Sequence, residues 1–324
     1  MIIAVFPGQG SQTPGFLAPW LELEGARERL EQFSELAQVD LVAAGTQWDA
    51  DRIRDTQIAQ PLIVAAGLLS WQALSDRLAD ESAGIGGVAG HSVGEIAALV
   101  ASRVVSAEDG MRLVGLRGRA MAAAAAAEQT GMSAVLGGDQ DAVVARLGEL
   151  DLTPANYNGG GQIVAAGSLP ALAELSAAPP ASARVIPLQV AGAFHTRYMA
   201  PAVDALRAAA ADVAASAPDR SLWTNRDGSL VSDGRTALDL LVDQVASPVR
   251  WDLCMTAFAD SGVTGIIELS PAGTLTGLAK RALRGTPTVA VKTPDDLAAA
   301  TALLDSATAD ASGSPAASPT GGEA

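Results

Sequence analysis

The sequence predicts an α/β protein in two parts: a larger domain with a parallel sheet, assembled from both ends of the chain, and a smaller unit inserted between them. Three observations predict it. Short apolar runs alternate with longer segments of helical apolar spacing, the order expected of parallel strands joined by helices. The stretch from Met132 to Val190 departs from that rhythm and sets two strand-like runs on either side of a triple-glycine turn. Apolar residues make up 49% of 324, enough for a sizeable core at a length that suits one large domain with a smaller insert.

The elements follow in order. Ile2 to Phe6 reads as a buried strand, and Gln60 to Leu78 has helical spacing. Ile85 to Ala89 is a short glycine-rich strand, after which helical spacing resumes over Val93 to Ser102. Ala107 to Ala127 is a long run of good helix formers. The middle then reads strand (Met132 to Leu136), helix (Gln140 to Leu150), strand (Leu152 to Tyr157), strand (Gln162 to Ala166), helix (Pro170 to Ala177) and strand (Arg184 to Val190). That β-α-β-β-α-β order is the ferredoxin-like plan. A late strand (Gly265 to Leu269) and helix (Thr274 to Arg284) return to the first rhythm. The expected division is therefore 1–126 and 191–305 for the large domain and 127–190 for the insert. The last segment, 306–324, is rich in Ser, Ala, Gly and Pro with almost no large apolar residue, and is expected to be disordered.

Charge and cysteine usage exclude several functions. The chain has 21 basic and 36 acidic residues, a net −15, which argues against nucleic-acid binding. The one cysteine, Cys254, forms no internal disulfide and reads as a small core residue. No cluster has metal-ligand spacing, so no metal and no cofactor are expected. The apolar N-terminal run is too short for a signal peptide or a membrane span, so a cytoplasmic protein without membrane contact is expected, monomeric by default.

The chemistry centres on Gly90-His91-Ser92-Val93-Gly94. Gly-x-Ser-x-Gly between a strand and a helix is the nucleophile-elbow pattern, in which a serine on a strained turn is lifted clear at a helix N-terminus. The alternative is a serine that only caps the helix; the strand-like Ile85 to Ala89 before the motif and the helical Val93 to Leu99 after it favour the elbow. A serine nucleophile needs a base. The chain has two histidines, His91 and His195. A side chain adjacent to the serine at an elbow points away from it, which leaves His195 as the base.

These segments resemble the malonyl-CoA:acyl carrier protein transacylase family of fatty acid synthesis and the acyltransferase domains of polyketide synthases. Phe6-Pro7-Gly8-Gln9-Gly10-Ser11-Gln12 is similar to the family's opening signature, and Gly90 to Glu95 to its nucleophile signature. Arg117-Gly118-Arg119-Ala120-Met121, Asn156-Tyr157-Asn158 through Gln162-Ile163-Val164, and Gly192-Ala193-Phe194-His195 resemble later blocks, as do Gln244 to Trp251 and Glu268 to Pro271. The blocks run collinearly from Ile2 to Arg284. Val93 stands where leucine is common in the family, and the triple-glycine turn lacks a proline often found there.

The resemblance implies an α/β-hydrolase-like large domain carrying the ferredoxin-like insert. It implies that Ser92 is acylated, that His195 is its base, and that the imidazole is oriented by a backbone carbonyl around Gln244. The N–H groups of Gln9 and Val93 would form the oxyanion hole. Arg117 would bind the free carboxylate of a malonyl group through a planar fork. Phe194, Met121, Asn158 and Gln162 would line the acyl site, with Phe194 in the malonyl-selective form of its segment. The implied activity is transfer of malonyl from malonyl-CoA through a Ser92 ester to the phosphopantetheine thiol of acyl carrier protein, with fatty acid or polyketide synthesis as the setting. An acidic carrier meeting an acidic chain needs a local basic patch; Lys280, Arg281 and Arg284 are one candidate, Arg197 and Arg119 are others, and ordinary surface charge is the alternative. Two other readings remain at this point: a serine thioesterase that passes the acyl group to water, and an inactive scaffold that only docks carrier proteins.

Overall fold

The computed structural model describes residues 1–78 and 84–312. Among the described residues, nine strands form two sheets. The first is built from β1 (Ile2–Phe6), β2 (Ile85–Gly90), β7 (Ser221–Trp223), β8 (Gly265–Glu268) and β9 (Thr288–Ala290). Its order is β7-β2-β1-β8-β9, and every pairing is parallel. The second holds β3 (Thr130–Gly137), β4 (Thr153–Gly159), β5 (Gln162–Ser168) and β6 (Ala183–Pro187) in the order β4-β5-β3-β6, all antiparallel. This is an α/β-hydrolase-like sheet with a ferredoxin-like unit, as the sequence predicts.

The helices are α1 (Ala26–Ala37), α2 (Leu41–Thr46), α3 (Ala50–Arg54), α4 (Thr56–Ser75), α5 (Gly94–Ala101), α6 (Ala107–Ala127), α7 (Gln140–Glu149), α8 (Leu169–Ala177), α9 (Ala200–Ala211), α10 (Gly234–Gln244), α11 (Trp251–Asp260), α12 (Thr274–Ala282) and α13 (Leu297–Ser312). Most begin on a polar cap. The side chains of Asp55, Ser106, Asp139, Ser168 and Asp233 each accept a backbone N–H from the first turn of the helix that follows. The expected strand at Arg184 to Val190 ends at Pro187, with one further bond beyond it, from Leu188 N–H to Met132 C=O at 2.9 Å. The segment expected to be disordered from residue 306 is helical as far as Ser312, as the continuation of α13, because its alanines sustain helix. Residues 313–324 of that expectation lie outside the described residues.

The first sheet is buried through its centre: β1 shows no exposed residue, and Ile3, Ala4 and their neighbours are at most 1% exposed. A strand covered on both faces reads as a continuous apolar run, which is why Ile2 to Phe6 lacks alternation. Helix α4 is long and apolar enough to cross a membrane, but 78% of its apolar window is buried inside the fold, so its hydrophobicity is that of a core helix.

The two sheets are tied by backbone. Val249 N–H donates to Ala155 C=O at 2.9 Å, and Tyr157 N–H donates to Val249 C=O at 2.9 Å, extending the β4 edge with a segment that leads into α11. Arg250 then stacks its guanidinium 4.5 Å from the Tyr157 ring centre. The triple-glycine turn between β4 and β5 holds Gly159, Gly160 and Gly161 all at positive φ, a path other residues adopt at a cost.

Candidate active site

The carboxyl ends of β1, β2, β7 and β8 open on one side, where ligands bind in sheets of this kind. The chain after β1 carries Gln9, and the turn after β2 carries Ser92. The turn after β7 carries Asn225. After β8 comes the turn into α12, whose first N–H groups are capped by the Glu268 carboxylate: Leu275 N–H donates at 2.9 Å and Thr276 N–H at 2.8 Å.

The elbow is sterically forced. A Cβ on Gly90 would lie 2.0 Å from the Gly94 carbonyl carbon, and one on Gly94 would lie 2.3 Å from the Phe6 oxygen. Only glycine lets the turn close this tightly against β1. Ser92 sits at φ 52°, a left-handed conformation costly for a side-chain-bearing residue. Hydrogen bonds on both sides hold it there: His91 N–H donates to Phe6 C=O at 2.9 Å, and Ser92 N–H donates to Asn225 Oδ1 at 2.7 Å. Asn225 is itself anchored, its Nδ2 donating to Gly90 C=O at 2.7 Å.

Ser92 Oγ lies 2.6 Å from His195 Nε2. His195 Nδ1 lies 2.8 Å from the Gln244 carbonyl oxygen, so the ring carries its proton on Nδ1 and presents Nε2 as acceptor to the serine. His195 too has positive φ, 61°. Burial, and then the Arg117 charge, depress the His195 pKa to about 3, so the ring is a neutral base at physiological pH. His91 turns away from the serine as expected; its Nε2 meets Asn158 Oδ1 at 2.8 Å and its ring packs edge-on against Trp251.

A cavity of about 280 Å³ opens beside this pair. Gln9, Ser92, Val93, Arg117, Met121 and His195 line it from the large domain; Asn158 and Gln162 line it from the second sheet, and Phe194 adds an apolar wall. The N–H groups of Gln9 and Val93 have no hydrogen-bond partner among the described residues, which leaves both donors available. Asn158 Nδ2 donates to Gln162 Oε1 at 3.1 Å, so these two amides face each other on the wall.

Arg117 is 1% exposed. Its Nη1 donates to Gln60 Oε1 at 2.7 Å and its Nη2 to Gln244 Oε1 at 2.9 Å, while Nε has no partner among the described residues. Burial lowers its pKa to about 10, opposed by the charge of Glu95, so it stays cationic. A buried guanidinium held only by neutral amides, with donors to spare, has its charge incompletely matched by its direct partners. Lys280, Arg281 and Arg284 are not brought into the cavity. They are exposed at and just beyond the C-terminal end of α12, whose Thr274 and Leu278 line the cavity.

Sequence reasoning missed Gln60, Glu95 and Asn225. Glu95 is 4% exposed, and burial raises its pKa to about 7. It lies inside the quoted nucleophile segment, and a carboxylate on an otherwise apolar helix was a readable signal. Asn225 carried none: it follows a strand of three residues. Cys254 is a core residue as expected, fully buried with its thiol pKa pushed up by desolvation. No group of metal-ligating side chains occurs among the described residues.

A serine raised on a strained strand-to-helix turn, paired with an imidazole held by a backbone carbonyl, defines a serine enzyme of the acyl-transferring or acyl-hydrolysing kind. The comparisons divide these. The family model described as acyl transferase domain matches residues 3–314, and the chain belongs to that family. A Mycobacterium tuberculosis protein named malonyl CoA-acyl carrier protein transacylase is 53% identical over 297 residues, covering 92% of this chain and 98% of that one. The crystal structure of MCAT from Mycobacterium tuberculosis superposes with a TM-score of 0.88 at 54% identity, covering 92% of this chain and 98% of that one. A type II PKS acyl-carrier protein in complex with its malonyl-transacylase matches at a TM-score of 0.86 and 29% identity, over 92% of this chain and 98% of that chain.

Proposed function

We propose that this chain is a malonyl-CoA:acyl carrier protein S-malonyltransferase working through a malonyl-Ser92 ester. The observation that carries the reading is the buried Arg117 beside the Ser92–His195 pair: a cation enclosed in an acyl pocket calls for an acyl group that ends in a carboxylate.

In the first half-reaction, His195 Nε2 takes the Ser92 proton as Oγ attacks the thioester carbonyl. The tetrahedral oxyanion is held by the N–H groups of Gln9 and Val93. When it collapses, the C–S bond breaks, and the imidazolium returns its proton to the coenzyme A sulfur. In the second half-reaction the pantetheine thiol of the carrier gives its proton to His195 and attacks the ester, and Ser92 Oγ recovers a proton as it leaves. The Gln244 carbonyl orients the imidazole throughout, so the unit is a dyad with backbone support. Arg117 pairs the malonyl carboxylate, with Met121, Phe194, Asn158 and Gln162 around the acyl chain. Both half-reactions move an acyl group between nucleophiles, so neither calls for a cofactor. Lys280, Arg281 and Arg284, at and just beyond the end of the helix that flanks the cavity, offer positive charge to an acidic carrier on a chain whose net charge is −15. We place the reaction in the cytoplasm and read the enzyme as a monomer.

Mass spectrometry after mixing with malonyl-CoA tests the reading: a malonyl adduct is expected on Ser92 and is absent in Ser92→Ala. An unmodified Ser92 in the native protein would sink it. The thioesterase and scaffold readings are not favoured, given the acyl transferase family and the intact Ser92–His195 hydrogen bond.

A further inference from the structure

The serine end and the arginine end of the cavity are joined through one residue whose side chain the mechanism above leaves unused. The Gln244 backbone oxygen holds His195 Nδ1, while its side-chain oxygen accepts from Arg117 Nη2. Its amide nitrogen faces three acceptors: the Ser92 carbonyl at 3.2 Å, Asn225 Oδ1 at 3.2 Å, and Glu95 Oε2 in a close contact. An amide has one accepting end and one donating end. Arg117 can only donate, so Gln244 must turn its oxygen there and its NH2 away, and Glu95 is the anionic acceptor on that far side.

Glu95 is well placed for this. It sits in the first turn of α5, where its own N–H donates to the Ser92 carbonyl at 3.0 Å. Its other oxygen accepts from Asn225 N–H at 3.1 Å, and Asn225 in turn receives the Ser92 N–H. Both bonds to the Glu95 carboxyl call for an acceptor. Burial leads and raises the pKa to about 7, while these bonds and the Arg117 charge pull the other way, and the ionised form is the one that satisfies both donors.

We propose that Glu95 is a positioning residue: its carboxylate fixes the direction of the Gln244 amide, so that the amide oxygen holds Arg117 ready for the substrate's carboxylate. The inference rests on the acyl-transfer reading and adds a residue that sets acid selectivity without touching the acyl group. It separates two duties of Gln244. The backbone oxygen serves the base for every substrate, and the side chain serves only acyl groups with a terminal carboxylate.

Glu95→Gln tests this, because glutamine has the same shape but one of its two ends must donate. Either the Asn225 N–H or the Gln244 NH2 then faces a donor, and relief by turning the Gln244 amide would set NH2 against Arg117. The full chain is assayed with malonyl-CoA and with acetyl-CoA as donors to the carrier thiol. We expect the KM for malonyl-CoA to rise about tenfold to a hundredfold, the cost of disrupting a buried hydrogen bond to a charged group. Acetyl transfer should fall much less, by about threefold, the net worth of one neutral hydrogen bond beside the elbow, because the Glu95 backbone and the Ser92–Asn225 bond are kept. In an Arg117→Ala background, Glu95→Gln should add almost nothing. Equal loss of malonyl and acetyl transfer, or an undiminished penalty in the Arg117→Ala background, overturns the proposal and marks Glu95 as merely structural. Should Glu95→Gln not fold, Gln244→Met keeps the backbone oxygen and removes both ends of the amide. It should lose malonyl transfer more than acetyl transfer, and equal losses would again overturn the proposal. Absence of a Ser92 adduct in the native chain would instead defeat the acyl-transfer reading itself, so the two failures are distinguishable.

Discussion

The two sheets wall the same cavity and contribute unlike chemistry. The parallel sheet and the helices and loops around it supply side chains that are cross-linked by hydrogen bonds: Ser92 to His195 and Asn225, Gln244 to Arg117 and Glu95. The antiparallel sheet offers amides and apolar side chains from strand interiors, with Asn158 bonded to His91 and Gln162. The groups that must be held to a fraction of an ångström sit in the first region, where buried hydrogen bonds fix them from several directions. The second region closes the cavity and shapes it. On the proposed reading, charge and proton transfer fall to the region around the parallel sheet, while the antiparallel sheet shapes the fit.

Arg117→Ala should sharpen that division most. Removing one partner of a desolvated charge pair costs about 2–5 kcal/mol, so malonyl transfer should fall about thirtyfold to several thousandfold in kcat/KM while acetyl transfer persists. A steady-state comparison of the two donors checks this, and equal loss of both would make Arg117 a structural residue. The next test is pH. With its pKa depressed to about 3 by burial and then by Arg117, His195 stays neutral, and so able to accept the serine proton, far into the acid range. Modification of Ser92 by an uncharged sulfonyl fluoride should therefore hold its rate from about pH 8 to about pH 5, where an ordinary imidazole near 6.5 would be mostly protonated. An acid limb near 6.5 would mean the site is open to water.

On the opposite wall, Asn158→Ala should raise the KM for malonyl-CoA only about threefold to tenfold with little change in kcat, as for a neutral hydrogen bond. A loss as large as that of Arg117→Ala would break the comparison between the walls. Smallest is the surface effect. Charge reversal at Lys280 and Arg281 should raise the KM for the carrier about twofold to fivefold, less at high salt, and leave the rate of Ser92 acylation by malonyl-CoA unchanged. No change in carrier KM would remove these residues from the interface.

Much of this was legible in the sequence because it is local. The strand, turn and helix around Ser92 lie within one continuous stretch, and the β-α-β-β-α-β order of the insert is a short-range pattern. Strands β7 and β9 were not legible, since three residues are too few to show a period. The end of α13 is not marked in the sequence, where a run of small and polar residues reads as a tail although the helix continues to Ser312. Asn225 and Gln60 meet their partners 133 and 57 residues away, and no spacing rule connects such positions.

By itself, then, the sequence determined the fold class, the elbow and the identity of the one suitable histidine, because glycine sterics and apolar periodicity act between near neighbours. The resemblance it carried pointed to the arginine and the glutamine. Only the tertiary structure decided which end of Gln244 faces Arg117, that Glu95 stands behind it, and that His195 is stripped of water enough to stay neutral. Those outcomes depend on burial and on donors meeting acceptors across distant parts of the chain, and neither exists until the two sheets have closed on the cavity.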